Sequence, residues 1–194
     1  MDAGGPKAVL QHYLQTARDV MLWKLDGLDE YDLRRPLVPT GTNLLGLVKH
    51  LALVETGYLG DTFGRPLPDA PTWMSSDDPI VDLHAGPDES TADIVALYRR
   101  VWAHSDATIA ALPLDGEGSV PHWPEERRTI TLQLALVHLI AETHRHAGHA
   151  DIVRETIDGA VGHRAEGDNL PEDVRWTEVY DRAEAAAREA SGRR

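Results

Sequence analysis

Apolar residues recur at spacings of three and four along four segments of the chain, a pattern typical of amphipathic helices. The first segment starts at Pro6, a residue favoured at the first position of a helix, and continues to Leu28. The second starts after Thr42, which we interpret as its N-cap, and ends near Gly60 or Gly64. Both segments therefore predict helices of several turns.

Two further segments show the same periodicity. The third is capped by Ser90 or Thr91 and ends at Pro113. The fourth spans residues 129–158 and stops at Gly159. At the rise of an α-helix the fourth would be roughly 45 Å long.

Irregular connections separate these helices. Residues 65–88 are rich in Pro, Asp, Ser and Gly, and residues 114–128 show no helical period. Near the end of the chain, residues 176–190 are rich in Ala, Glu and Arg, a composition that favours a short exposed helix. Long connections of this kind are often functional.

The alternation typical of strands is absent throughout, so we predict an all-α fold. It is a four-helix bundle with long interhelical loops and a short C-terminal helix. The chain, residues 1–194, is expected to form one domain whose core spans residues 6–162, with residues 163–194 as a C-terminal appendage.

Composition narrows the possible partners. Acidic residues outnumber basic ones by 32 to 19, giving a formal charge of −13. That charge would repel the phosphates of nucleic acids and anionic membrane surfaces. Neither nucleic acid nor a membrane is therefore an expected partner.

The N-terminal residues lack a basic region followed by an apolar core, and no run of about 18 apolar residues follows, so we expect a cytoplasmic protein. The chain contains no Cys. A metal would consequently need nitrogen and oxygen ligands, and any reacting thiol would have to come from a cosubstrate.

The fourth helix carries most of the candidate chemistry. His138, Glu142, His146 and His149 follow one another at spacings of three or four and share one face, whereas His144 points away from it. Apolar residues flank this stripe, so we expect it to face the core.

Glu142 and His146, four residues apart, can direct a carboxylate oxygen and an imidazole nitrogen at one point about 2 Å from each, as a divalent metal requires. His50 lies on the apolar face of the second helix and is the natural third ligand. Three protein ligands leave a coordination position free for water or substrate. The pattern therefore predicts an open metal site within the bundle.

Simpler interpretations of these residues stay open at this point. A single core His is usually only hydrogen-bonded, and an acid four residues before a His is usually a surface pair. The sequence signatures of the common metalloproteases, phosphate-binding loops and esterases are missing.

Two motifs carry a resemblance to a known family: PTGTNLLGLVKHLA at residues 39–52 and LVHLIAETHRHAGHADIVRE at residues 136–155. Together they resemble the DinB-like superfamily, specifically its DUF664 branch, over most of the first 162 residues. Many members bind metal through three His, whereas Glu142 stands here at the first of the two positions on the fourth helix. The His50, Glu142 and His146 set is similar instead to that of mycothiol-dependent maleylpyruvate isomerase, a zinc enzyme of the same superfamily.

The resemblance implies a metal-dependent S-transferase. In this hypothesis Zn²⁺, or another divalent ion such as Ni²⁺, Fe²⁺ or Mn²⁺, activates a low-molecular-weight thiol, mycothiol by analogy, for attack on a small electrophilic substrate. Relatives in the superfamily are commonly dimers, so a homodimer is also expected.

Two other functions fit the same ligands. A metal-dependent hydrolase would activate water, with His149 as a candidate general base. A non-catalytic small-molecule-binding or stress protein would sequester an electrophile or a metal, with the Pro-rich connection as a lid.

Two other residues each have more than one possible role. His149 can orient a ligand, shuttle a proton or pack as a hydrogen-bonded core residue, and we keep it as the candidate catalytic residue. Arg154, two turns beyond His146 on nearly the same face, is a candidate for binding a substrate carboxylate or for pairing with nearby acids.

Overall fold

The computed structural model describes residues 4–165, 170–171 and 173–192 of the chain. In chain order its α-helices are α1 (Pro6–Trp23), α2 (Glu30–Arg34), α3 (Leu44–Leu59), α4 (Thr91–Ala111), α5 (Leu132–Asp158) and α6 (Trp176–Ser191), and three short 3₁₀ helices lie in the connections. The predicted all-α fold is confirmed, and α1, α3, α4 and α5 are the four long helices that the sequence predicts.

The chain divides into two compact units, Met1–His163 and Arg164–Arg194. The first unit contains α1 to α5, and the second contains α6. In the first unit α1 packs against α4 and α5, and α3 packs against the same two helices. Each long helix thus has two neighbours, and the four close into a bundle.

Local capping chemistry decides where the helices begin and end. The side chain of Asn43 accepts a hydrogen bond from a backbone amide in the first turn of α3, so the prediction of Thr42 as the N-cap is wrong. Ser90 caps α4 in a reciprocal capping box with Asp93. Gly159, with a φ of 77°, ends α5 as predicted.

The first helix is shorter than predicted. It ends at Trp23, and the chain then turns at Gly27, which adopts a φ of 79°. Leu25 is buried and Leu28 packs against the core from this turn. The helical spacing of apolar residues therefore continues to Leu28, although the helix itself ends earlier.

The predicted absence of strands is wrong in one place. Strands β1 (Glu117–Ser119) and β2 (Thr129–Thr131) pair antiparallel in a two-stranded sheet. Two Thr and one Ile form β2, and these β-branched residues favour extended backbone. The helix predicted from residue 129 consequently begins at Leu132, with Thr131 as its N-cap.

Buried apolar side chains form two clusters that occupy opposite ends of the long helices. On α5, for example, Leu132, Leu136 and Leu139 belong to one cluster, and Ala147, Ala150 and Val153 belong to the other. Between the clusters each long helix buries a polar residue. They include Arg18, Glu55, Ser105 and Thr143.

An ion pair forms the centre of this polar layer. The Arg18 guanidinium donates to the Glu55 carboxylate, with Nε 3.2 Å from Oε2, and both side chains are almost fully buried. The same guanidinium donates to Asp106 and Gln15, each at 3.0 Å. It therefore joins α1 to α3 and α4, and its hydrogen bonds offset the cost of burying the charges.

The surface of the helices carries scattered apolar side chains. In the described part of the chain, no helix is long and apolar enough to cross a membrane. Large apolar residues are exposed on both α1 and α5, which pack against each other; they include Val9, Tyr13, Leu134 and Val137. The homodimer stays a prediction.

Replacing Arg18 with Met should lower the free energy of unfolding by about 3–5 kcal/mol, because Glu55 would be left buried without its counter-charge. Urea titration followed by circular dichroism measures this loss. The matched control is Arg35→Met, whose ion pair with Asp32 is partly exposed and should cost about 1 kcal/mol or less. Equal losses in the two variants would contradict the structural role of the buried pair.

Candidate metal centre

The structure brings together the three residues predicted as metal ligands. His50 comes from the middle of α3, and Glu142 and His146 come from successive turns of α5. One ligand atom from each residue lies within 4.8 Å of the other two. Glu142 Oε1 is 2.9 Å from His146 Nε2 and 3.8 Å from His50 Nε2.

These separations suit a small divalent ion. Ligand atoms placed 2.0–2.1 Å from a tetrahedral ion lie roughly 3.4 Å apart, between the two distances measured to Glu142. Two imidazoles and one carboxylate are also the chemistry of a three-ligand site that leaves a position open. The residues present therefore fit a divalent metal.

Asp82 orients His50 and was missed by the sequence analysis. Its Oδ2 lies 2.7 Å from Nδ1 of His50, so the Nδ1–H donates to the carboxylate and the lone pair of Nε2 faces Glu142. Asp82 lies in the irregular connection between α3 and α4, where no periodicity indicates which side chain turns inward. The contact between Asp82 and His50 is therefore seen only in the three-dimensional structure.

The first turns of α3 hold this connection in place. Gly46 allows the carbonyl of Leu83 to approach closely, since a Cβ at this position would lie 2.1 Å from that oxygen. Asn43 Nδ2 donates to the same carbonyl at 3.2 Å. One turn on, Lys49 Nζ donates to the His84 carbonyl at 3.1 Å. Asp82 is thereby anchored beside His50.

The electrostatics of the site favour ligands in their metal-binding forms. Burial opposes ionisation of Glu142, but the hydrogen bond from His146 and the charges of His146 and His50 outweigh it and hold its pKa below the ordinary value. Burial lowers the pKa of His146 below 6.5, against the opposing effect of Glu142. At neutral pH these two groups are therefore a carboxylate and a neutral imidazole, as metal binding requires.

The predicted stripe on α5 lies beside the buried face rather than on it, because Thr143 and Ala147 occupy the buried positions. His149 is exposed, so its interpretation as a core residue is wrong. Its Nδ1 lies 3.3 Å from Nδ1 of His146, close enough to exchange a hydrogen bond with that ligand. Its catalytic role stays a prediction.

Arg154 is placed away from the three ligands. Its guanidinium donates to the carboxylate of Asp158 on the next turn and to the carbonyls of Lys24 and Asp26. These contacts join α5 to the turn after α1, so the pairing with nearby acids is present. Arg154 does not line the cavity beside the ligands, and its predicted substrate-binding role has no contact there to support it.

A cavity of about 330 Å³ opens beside the ligands. Its walls include residues 40–43 before α3, Leu47, Leu83, the Arg145 and His149 side chains of α5, and all three ligands. We call it the polar cavity, after the threonine hydroxyls and Arg145 in this lining. The ligand side chains remain 15 to 26% exposed. A molecule in this cavity could therefore reach the open side of the site.

In this helical bundle, two His and one Glu from facing helices converge at an open cavity. The protein therefore belongs to the class of bundle proteins that can bind a catalytic metal. Comparison with protein families narrows the class. Residues 9–159 match the model of the mycothiol-S-transferase family, and the chain belongs to that family. The resemblance to the DinB-like superfamily is thus confirmed. A search of curated proteins finds no match to the chain.

Replacing His50 or His146 with Ala should abolish tight binding of Zn²⁺ while the bundle stays folded, because the two apolar clusters supply most of the stability. Isothermal titration calorimetry measures the stoichiometry, and circular dichroism checks the fold. His144→Ala is the matched control, since His144 stacks against His163 and takes no part in the ligand set. Unchanged stoichiometry in both ligand variants would refute the site.

Replacing Asp82 with Asn should weaken Zn²⁺ affinity by about 10–100-fold, because His50 would lose the carboxylate that orients its ring. Competition with a chromogenic chelator measures the dissociation constant. Asp77→Asn, an exposed substitution in the same connection, is the control and should leave affinity unchanged. Equal affinities in the two variants would show that Asp82 does not support His50.

Proposed function

We propose that this protein is a metal-dependent S-transferase that joins a low-molecular-weight thiol, mycothiol by family, to a small electrophilic substrate. The observation that carries the proposal is the His50, Glu142 and His146 donor set, which opens onto the polar cavity. Membership of the mycothiol-S-transferase family supports the choice of thiol.

The donor set suits Zn²⁺ and would also accept Ni²⁺, Fe²⁺ or Mn²⁺, since imidazole and carboxylate are ligands for each of these ions. When bound, such an ion would lower the pKa of a coordinated thiol, so that the reactive thiolate predominates at neutral pH. With a single carboxylate ligand, the site would keep a net positive charge toward the thiol.

The thiol comes from outside the chain, because the chain has no Cys. In the proposal its polar groups bind in the polar cavity. Backbone and side-chain groups of the Thr40–Asn43 segment offer hydrogen bonds, and Arg145 offers a cation for an anionic or hydroxyl-rich ligand. This arrangement would place the sulfur at the end of the cavity where His50 and Glu142 lie.

The reaction is a nucleophilic substitution at carbon. The sulfur of the thiol forms a bond to the electrophilic carbon while the bond to the leaving group breaks, and the leaving group takes the bonding electron pair. The proton of the thiol passes to water, and we propose that His149 carries it. His149 suits this role because it is exposed, lines the polar cavity and carries an imidazole that can both accept and donate a proton.

Purified protein of measured metal content should consume mycothiol in the presence of monochlorobimane, with the thioether detected by its fluorescence. Glu142→Ala should lose at least about a hundredfold in rate, because removal of a ligand abolishes the site. The control is Glu155→Ala, which removes an exposed carboxylate from the same helix. Restoring metal to chelator-treated wild type should restore the rate.

Other outcomes would favour a different function. Bound metal without thiol consumption, together with hydrolysis of an activated ester that depends on Glu142, would point to a hydrolase. Bound metal without turnover of either kind would point to a binding protein. Conjugation that survives in Glu142→Ala would contradict a role for the metal site in the reaction.

A further inference from the structure

A second cavity, of about 460 Å³, meets the polar cavity at the metal site. His50 and Glu142 line both cavities. The polar cavity lies toward the beginning of α3, whereas the second extends toward its end, where Tyr58 is roughly 12 Å from His50 along the helix. The groove between α3 and α5 thus continues past the ligands in both directions.

One face of α3 forms the floor of this second cavity. His50, Leu53, Val54, Gly57 and Tyr58 follow the spacing of a single helical stripe, and all five line it. At Gly57 an added Cβ would meet nothing within 4 Å. A glycine inside a helix costs about 1 kcal/mol relative to Ala, and here its missing side chain leaves the cavity open.

Aromatic rings form the far end of this cavity. The rings of Tyr58 and His138 are 4.4 Å apart, centroid to centroid, at an angle of 40°. His122, from the connection between β1 and β2, lines the cavity and contacts Tyr58 edge-on at 6.2 Å. Trp123 also contacts Tyr58 edge-on, at 6.1 Å, but does not line the cavity. We call this the aromatic cavity, because its walls offer ring faces and apolar carbon away from the shared ligands.

The two cavities differ in the chemistry of the molecules they suit. The lining of the polar cavity contains Arg145, the hydroxyl groups of Thr40 and Thr42, and two leucines. The lining of the aromatic cavity contains Leu53, Val54, the Asp82 carboxylate and the rings of Tyr58, His122 and His138. Planar conjugated molecules gain from stacking and from apolar burial in such surroundings. A polar thiol in one cavity and a planar electrophile in the other would face each other across His50 and Glu142.

We propose that the aromatic cavity is the binding site of the electrophile, that it favours planar conjugated electrophiles over small acyclic ones, and that Gly57 keeps it open. The inference rests on the proposed S-transferase function and names the substrate class of that site. With monochlorobimane the sulfur of the thiol bonds to the chloromethyl carbon, the C–Cl bond breaks, chloride leaves, and the thiol proton goes to water.

Replacing Gly57 with Leu tests the assignment in the metal-loaded protein. The Leu side chain would project from the same face of α3 as His50 and fill the aromatic cavity, while the helix gains propensity and should not lose stability. With mycothiol as cosubstrate, kcat/KM for monochlorobimane should fall at least about tenfold. The kcat/KM for iodoacetamide, a small acyclic electrophile, should change by less than about twofold. The KM for mycothiol should also change by less than about twofold.

Gly148→Leu is the matched control. Gly148 is also inside a helix and also has nothing within 4 Å of an added Cβ, but it is exposed on α5 and lines neither cavity. This variant should match the wild type with both electrophiles. An equal fall with both electrophiles in Gly57→Leu, or no fall with either, would overturn the assignment.

A binding measurement separates this inference from the proposed function. Dimethylbimane, the fluorescent analogue without a leaving group, should bind the metal-loaded wild type and the Gly148→Leu variant, and Gly57→Leu should weaken its binding at least about tenfold. If Gly57→Leu weakens dimethylbimane binding but the wild type does not turn over mycothiol, the transferase function fails and the cavity assignment stands. If Gly57→Leu binds dimethylbimane as the wild type does, the cavity assignment fails even when conjugation is observed.

Discussion

The antiparallel packing of α3 against α5 is the contact on which the site depends. His50 lies on one helix and Glu142 and His146 on the other, so their side chains meet only at one register of the two helices. Apolar clusters on both sides of the site hold that register. The buried pair of Arg18 and Glu55 joins α3 to α1 in the polar layer between the clusters, which further limits sliding of α3.

The connection between α3 and α4 completes the site although it has little regular structure. It follows α3 closely because Gly46 leaves room for its backbone and because Asn43 and Lys49 donate to its carbonyls. These contacts give hydrogen-bond partners to the buried side chains of Asn43 and Lys49. They also place Asp82 on Nδ1 of His50, so the same interactions that anchor the connection orient a ligand.

The groove between α3 and α5 has different chemistry on the two sides of the ligands. Toward the beginning of α3 its lining includes Arg145 and threonine hydroxyls beside two leucines, and toward the end of α3 it includes rings and aliphatic side chains beside the Asp82 carboxylate. Two substrates of unlike polarity can therefore approach one site without competing for the same walls. In the proposed function, that division would let the thiol and the electrophile reach the ligands from opposite sides.

The sequence by itself determined the long helices and the pairing of Glu142 with His146, because both follow from local helical geometry that operates within a few residues. It also indicated His50 as the third ligand, since an imidazole on an apolar stripe has to meet the other helices. Only the tertiary structure placed Asp82 against His50, moved His149 to the surface and left open space at Gly57. Each of these three features depends on how helices and connections that are distant in sequence pack against one another. The local spacing of apolar residues does not determine that packing.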